Sequence, residues 1–182
     1  MYAKDELLTH NSYYAATCPP FPIQPSLKGE HTFDVCIVCA GLAGLSAALE
    51  LSAACYSVAI VEGKRIGWGA SGRNGGQAIA GYACDQEPFE KQLGLGHAKT
   101  AFNLTLEGLD LMRQRIAKHS IHCDWVDGYM TASVKPKSTP RLYDWADRMS
   151  EMYNYPHLKK VSPKDMPSWI ASERYHAGVI DN

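Results

Sequence analysis

The chain has 182 residues, 46% of them in the broad hydrophobic set and 20% charged, enough for one sizeable core or for part of a larger fold. Its 18 Lys and Arg against 19 Asp and Glu leave a net charge of -1, so no overall field directs it to nucleic acid or to an anionic membrane. Partner choice must therefore come from local sites.

Residues 1–10 lack the basic start and apolar stretch of a secretory signal, which predicts a soluble protein that is not exported. Residues 1–32 carry Pro19, Pro20, Pro22 and Pro25 among polar residues and read as an extended arm, with Tyr13 and Tyr14 as candidate anchors. At Phe33 the pattern changes to the apolar run Val35, Cys36, Ile37 and Val38, expected of a parallel strand buried on both faces. Residues 42–54, rich in Leu and Ala, predict a helix, and residues 56–62 a second strand. The apolar stretch 35–51 falls short of the roughly 18 uninterrupted residues of a membrane helix and contains Ser46 and Glu50, so no span is expected.

Residues 63–76 hold six glycines in 14 positions and read as a binding loop. Ala98, Ala101, Phe102, Leu109, Met112 and Ile116 follow helical spacing and predict a helix over 97–118. Residues 123–134 alternate around Asp127-Gly128, a hairpin signal, and 140–153 predict another helix. Ser162-Pro163-Lys164-Asp165 has the form of a capped helix start. Residues 177–182 read as a strand with no closing element after it, so the architecture is expected to be interrupted.

The chemistry is concentrated after the first strand. A dinucleotide pyrophosphate is held where a strand ends in a tight turn and the next helix aims its free N–H groups and positive dipole end at the phosphates. The expected G-x-G-x-x-G is present as Cys39-Ala40-Gly41-Leu42-Ala43-Gly44, with cysteine at the first glycine position. The second strand ends in Glu62, close to the spacing of about 20 residues at which an acid binds ribose hydroxyls. Such an acid disfavours a 2′-phosphate, which leaves FAD or NAD ahead of NADP. Together the elements over 33–62 form a βαβ dinucleotide-binding unit. Cys39, and Cys55 at the helix end, both stand where glycine is usual, at a cost of about 1 kcal/mol or more each. Replacing Cys39 by Gly is expected to tighten cofactor binding.

A second glycine-rich run, Arg65-Ile66-Gly67-Trp68-Gly69-Ala70-Ser71-Gly72-Arg73-Asn74-Gly75-Gly76-Gln77, carries a resemblance. With the preceding unit it is similar to the D-amino-acid oxidase-like flavoproteins, most closely the gamma-glutamylputrescine oxidase branch, whose members carry a nearly identical G-A-S-G-R-N-G-G-Q. Further likeness lies in Ser12-Tyr13-Tyr14-Ala15-Ala16, Ile121-His122-Cys123-Asp124 and Ser172-Glu173-Arg174-Tyr175-His176-Ala177-Gly178. The resemblance implies an α/β fold: a Rossmann-like FAD-binding βαβ domain, truncated, followed by the start of an α+β substrate domain. The divisions expected are an arm over 1–32, the first part of the FAD-binding domain over 33–121 and the start of the substrate domain over 122–182.

It also implies the site. Ala40, Gly41, Leu42, Ala43 and Gly44 at the turn, with Glu62, Gly63, Lys64 and Arg65 after the second strand, would bind the ADP half of FAD. Ser71, Gly72, Arg73, Asn74, Gly75, Gly76 and Gln77 would lie beside the pyrophosphate, ribityl chain or flavin edge. Consecutive glycines let backbone N–H groups approach a flat ring, and Ser71 and Arg73 offer donors to anionic oxygens. The implied activity is oxidation of a primary amine by FAD and oxygen to aldehyde, ammonia and hydrogen peroxide, with the cofactor carrying the difficult step. Family members are more than twice as long, so this chain alone is expected to show little turnover, and no residue in it is assigned as catalytic acid or base.

Other motifs carry less. Cys36-Ile37-Val38-Cys39 matches C-x-x-C, but residues three apart on a strand lie roughly 10 Å apart and face opposite sides, beyond disulfide reach. The six cysteines (Cys18, Cys36, Cys39, Cys55, Cys84, Cys123) are expected as reduced thiols in the cytoplasm. The seven histidines (His10, His31, His97, His119, His122, His157, His176) show no helical ligand spacing, and no metal is expected. Trp68 could cover the cofactor or plug the packing beside it. Open alternatives are an NAD-linked dehydrogenase, a sarcosine, glycine or D-amino acid oxidase, and a non-catalytic remnant of the family.

Overall fold

The computed structural model describes residues 12–18 and 24–182, so the readings on residues 1–10 and on Pro19, Pro20 and Pro22 lie outside the described residues. Two compact units make up the chain, Met1–Gln77 and Ala78–Asn182.

In the first unit a short helix α1 (Tyr13–Thr17) interrupts the arm; Ser12 caps it by accepting the Ala15 N–H at 3.1 Å. Strand β1 (Val35–Val38), helix α2 (Leu42–Ala53) and strand β2 (Val58–Val61) then form the expected βαβ unit. The strands are parallel, with Val35 opposite Val58 and Val38 opposite Val61. Their register is clamped at the open end, where the Asp34 carboxylate accepts from the Ser57 N–H at 2.8 Å and hydroxyl at 2.6 Å. Those bonds favour the charged carboxylate and hold its pKa below the ordinary value, the Ser57 hydroxyl contributing most.

Burial of β1 on both faces is not observed. Ile37 faces α2, where its Cγ2 would lie 3.2 Å from a Cβ placed on Gly44, while Val38 on the other side is 74% exposed. Among the described residues this sheet has two strands and one covering helix, which leaves Cys36 and Val38 of β1 and Ile60 of β2 exposed.

Helix α2 ends in a complete Schellman motif. The Tyr56 N–H bonds back to the Leu51 carbonyl at 3.1 Å and the Cys55 N–H to Ser52 at 3.0 Å, with Cys55 at φ 66° in the place glycine usually takes.

The second unit opens with α3 (Gln86–Lys118), longer at its start than the spacing predicts and broken at Gly94, whose φ 78° and ψ 159° are not helical. Glycine lets the chain make that break without side-chain strain. After it come β3 (Tyr129–Ser133), α4 (Thr139–Tyr153), β4 (Leu158–Val161), α5 (Met166–Trp169) and β5 (Ala177–Asp181). The sheet order is β3-β5-β4, antiparallel throughout, and every residue of β5 is buried because it is the middle strand. Ala98 and Phe102 of α3 pack on Met149 and Tyr153 of α4 in the main core cluster, which is why α3 groups with this sheet. A second cluster joins Val161, Met166 and Ile180.

One of two local expectations changes. Asp127-Gly128 does not turn a hairpin: Gly128, at φ 86°, leads into β3, whose partner is β5. The Asp127 carboxylate instead accepts from the Trp125 indole at 2.9 Å and from Arg113 at 3.1 Å. The capped start at Ser162 is present: its hydroxyl accepts the Asp165 N–H at 3.3 Å and donates to the Asp165 carboxylate at 2.6 Å, its carbonyl accepts the Met166 N–H at 3.0 Å, and the short helix α5 follows from Met166.

Candidate functional site

The turn between β1 and α2 is built by close backbone approach. Cys39 donates its N–H to the Val61 carbonyl at 2.8 Å, extending the strand pairing by one residue, and then leaves the strand at φ 84°. An L side chain at that backbone angle is strained, so the cysteine sits where glycine's freedom is needed. Ala40 follows, almost fully buried. A Cβ on Gly44 would run into the Cys39 carbonyl oxygen, so only glycine lets the first turn of α2 close onto the strand end. This geometry leaves the first-turn amides of α2 beside the turn, where helix ends lack internal partners and attract anions.

Glu62, one residue past β2, reaches back across the turn. One carboxylate oxygen accepts the Ala40 N–H at 2.8 Å and the other the Lys64 N–H at 2.9 Å. These bonds hold its pKa below the ordinary carboxylate value, Ala40 contributing most, and its carboxylate is therefore charged at neutral pH. Each carboxylate oxygen retains acceptor capacity beyond one such bond, so the exposed Glu62 can also take ribose hydroxyls.

The glycine-rich loop folds over the same turn. The Gly67 N–H donates to the Ala40 carbonyl at 2.9 Å, and the Leu42 N–H donates to the Ser71 hydroxyl at 3.0 Å. A Cβ on Gly41 would approach that hydroxyl to 2.9 Å. The structure thus brings Ala40, Gly41, Leu42, Gly44, Glu62, Lys64 and Ser71 together. The Gly63 backbone N–H also favours the charged Glu62 carboxylate, and Arg65 takes part through its carbonyl, which accepts the Trp68 N–H at 3.0 Å.

Arg73 is engaged locally: its guanidinium lies 4.3 Å from the centre of the Trp68 ring and its Nε donates to the Trp68 carbonyl at 3.0 Å. The Lys64 ammonium is 5.8 Å from the same ring, so Trp68 gathers two cations beside the turn. Asn74 ties the loop internally, donating to the Ser71 carbonyl at 3.0 Å and accepting the Gly76 N–H at 2.8 Å. Gly75, Gly76 and Gln77 lie farther along, and Gly76 rests against the Tyr14 side chain. The sequence does not single out Gly67 as a backbone donor, and it marks Tyr14 as an anchor of the arm without naming its partner. Gly67 was visible as part of a glycine run; nothing in the arm's pattern pointed to Gly76.

The donor set suits a nucleotide cofactor. First-turn amides and two nearby cations match a pyrophosphate, and the charged Glu62 matches ribose hydroxyls. Within the described residues no group of three or more His, Cys, Asp or Glu is placed to hold a metal ion, and no helix is long and apolar enough to cross a membrane.

The family model for FAD dependent oxidoreductases matches residues 34–182. Over 172 residues the chain is 34% identical to the gamma-glutamylputrescine oxidoreductase of Escherichia coli, covering 94% of this chain and 40% of that protein. It is 35% identical over 170 residues to a Haemophilus influenzae protein called probable oxidoreductase OrdL, covering 93% and 39%. Among solved structures, a glycine oxidase from Bacillus cereus has a similar fold, with a TM-score of 0.50 at 19% identity over 82% of this chain and 38% of that one. The chain spans about two fifths of the length of the curated relatives it matches.

Proposed function

We propose, since this chain belongs to the family of FAD dependent oxidoreductases, that its β1–α2–β2 turn holds the ADP half of FAD in an enzyme that oxidises a primary amine of the gamma-glutamylputrescine type. The observation that carries the reading is the strand-end cradle, in which glycine at 44 is demanded by the Cys39 carbonyl and the charged Glu62 lies across the same turn.

In this reading the amides of Ala43 and Gly44 and the hydroxyl of Ser71 serve the pyrophosphate, and Glu62 accepts from the ribose. Lys64 and Arg73 supply positive charge beside them, and the loop from Gly72 to Gln77 faces the ribityl chain and flavin edge. FAD, when bound, supplies the acceptor for the two electrons and hydrogen leaving the amine carbon. The protein's own part is binding, orientation and exclusion of water, with oxygen as the second substrate. The substrate assignment is supported by the 34% identity that runs through nearly all of this chain. Residues 33–121 are taken as the first part of the FAD-binding domain and 122–182, with the antiparallel β3-β5-β4 sheet, as the start of the substrate domain. Six free, exposed thiols suit the reducing cytoplasm.

The test is a chimaera joining residues 1–182 to the remaining part of the E. coli relative, purified and assayed for flavin content and peroxide release. Peroxide on addition of gamma-glutamylputrescine is the expected result. A chimaera that retains FAD yet leaves this amine untouched overturns the substrate assignment; one that retains no FAD overturns the site.

A further inference from the structure

We infer that Tyr14, in the N-terminal arm, is a positioning residue for the glycine-rich loop and through it for the cofactor turn; the inference rests on the FAD reading above. Helix α1 has only five residues, too few to persist on propensity alone, so tertiary contact must hold it. The half-buried Tyr14 side chain provides such a contact. Its hydroxyl lies where a Cβ on Gly76 would be, and its Cζ and Cε1 are 3.3 and 3.7 Å from that position. Gly76 is at φ 68°, so both its backbone angle and the tyrosine above it require glycine.

The neighbouring ring differs. Tyr13 is 75% exposed and meets Tyr14 edge-on at 5.7 Å, backing it from the solvent side.

From Gly76 the contact runs inward without a gap. The Gly76 N–H donates to the Asn74 side chain at 2.8 Å, Asn74 donates to the Ser71 carbonyl at 3.0 Å, and the Ser71 hydroxyl accepts the Leu42 N–H at 3.0 Å. An aromatic residue in the arm is thereby connected to the Ser71 hydroxyl, which serves the pyrophosphate in the proposed site, and to the first amide of α2. Removing the ring frees the outer end of this series, and the loop must then be ordered at the expense of cofactor binding.

The experiment compares wild type with Tyr14→Ala, Tyr14→Phe and Tyr13→Ala in the 182-residue chain, by amide hydrogen exchange and by FAD titration. Tyr14→Ala is expected to speed exchange at Gly75, Gly76 and Gln77 while the amides of β1 stay protected, and to weaken FAD about tenfold without a matching fall in melting temperature. Tyr14→Phe restores both, and Tyr13→Ala changes neither. Unchanged exchange at Gly75 to Gln77 in Tyr14→Ala overturns the inference, as does an equal effect from Tyr13→Ala. Should Tyr14→Ala lose protection in β1 as well, Tyr14→Leu is decisive in the same way. Wild type that binds no FAD refutes the functional reading instead, while the exchange comparison still decides the role of Tyr14.

Discussion

Cys39→Gly and Cys55→Gly form a matched pair at the two ends of α2. Both cysteines have φ on the left-handed side, 84° and 66°. A non-glycine residue there costs about 1–2 kcal/mol. Glycine returns roughly 0.4–1 kcal/mol of that as extra freedom of the unfolded chain. The net gain expected from either substitution is therefore about 0.5–1 kcal/mol, seen as a rise of roughly 2 °C in melting temperature for a chain of this size. Their effects on the cofactor should separate. Cys39 lies at the turn proposed to receive the pyrophosphate and Cys55 closes the far end of the helix, so Cys39→Gly is expected to tighten FAD and Cys55→Gly to leave its affinity unchanged. Differential scanning calorimetry and flavin fluorescence titration read the two quantities. A Cys39→Gly chain that is less stable, or binds FAD no better than Cys55→Gly does, refutes the reasoning.

Glu62→Gln tests the carboxylate across the turn. Its folded pKa lies below the ordinary value of 4.5, so its contribution is present above that pH and is lost as pH falls through the lower folded value. Urea midpoints of wild type should fall over that acid range more steeply than those of Glu62→Gln, and parallel curves would remove Glu62 from the account. Tyr155→Phe tests the second unit: the phenol donates to both oxygens of the buried Asp181 at 2.7 and 2.9 Å, and losing it should cost about 1–3 kcal/mol in denaturant unfolding. A cost under about 0.5 kcal/mol would show that water replaces the hydroxyl. Gly44→Ala should destabilise the first unit by about 1–3 kcal/mol, because the added methyl meets backbone that cannot rotate away. A neutral effect would mean that α2 tolerates a wider approach to β1.

Much of the site was legible because local chemistry determines it. An apolar run, a small-residue turn and a second strand ending in Glu62 specify a βαβ unit whatever surrounds it, and the unnatural backbone angle at Cys39 and Cys55 follows from glycine's usual place in those turns. The exposed outer face of β1 was not legible, since burial depends on neighbours that a strand's own residues do not name. Asp127-Gly128 has the composition of a hairpin turn, yet β3 pairs with the distant β5, and residues 121–128 form no strand for it to fold back on. The early start of α3 escaped because Gly94 and Gly96 dilute the helical spacing ahead of His97. The loop contact of Tyr14 with Gly76 joins residues far apart in sequence, and no periodicity encodes it.

The central claim is that the turn at Gly41 and Gly44 binds FAD. Equilibrium titration of the purified chain with FAD, followed by flavin fluorescence with NAD as competitor, tests it most directly. The account predicts saturable binding at one site, indifferent to NAD and lost in Gly44→Ala. Absent binding, equal displacement by NAD, or unaltered affinity in Gly44→Ala would contradict it.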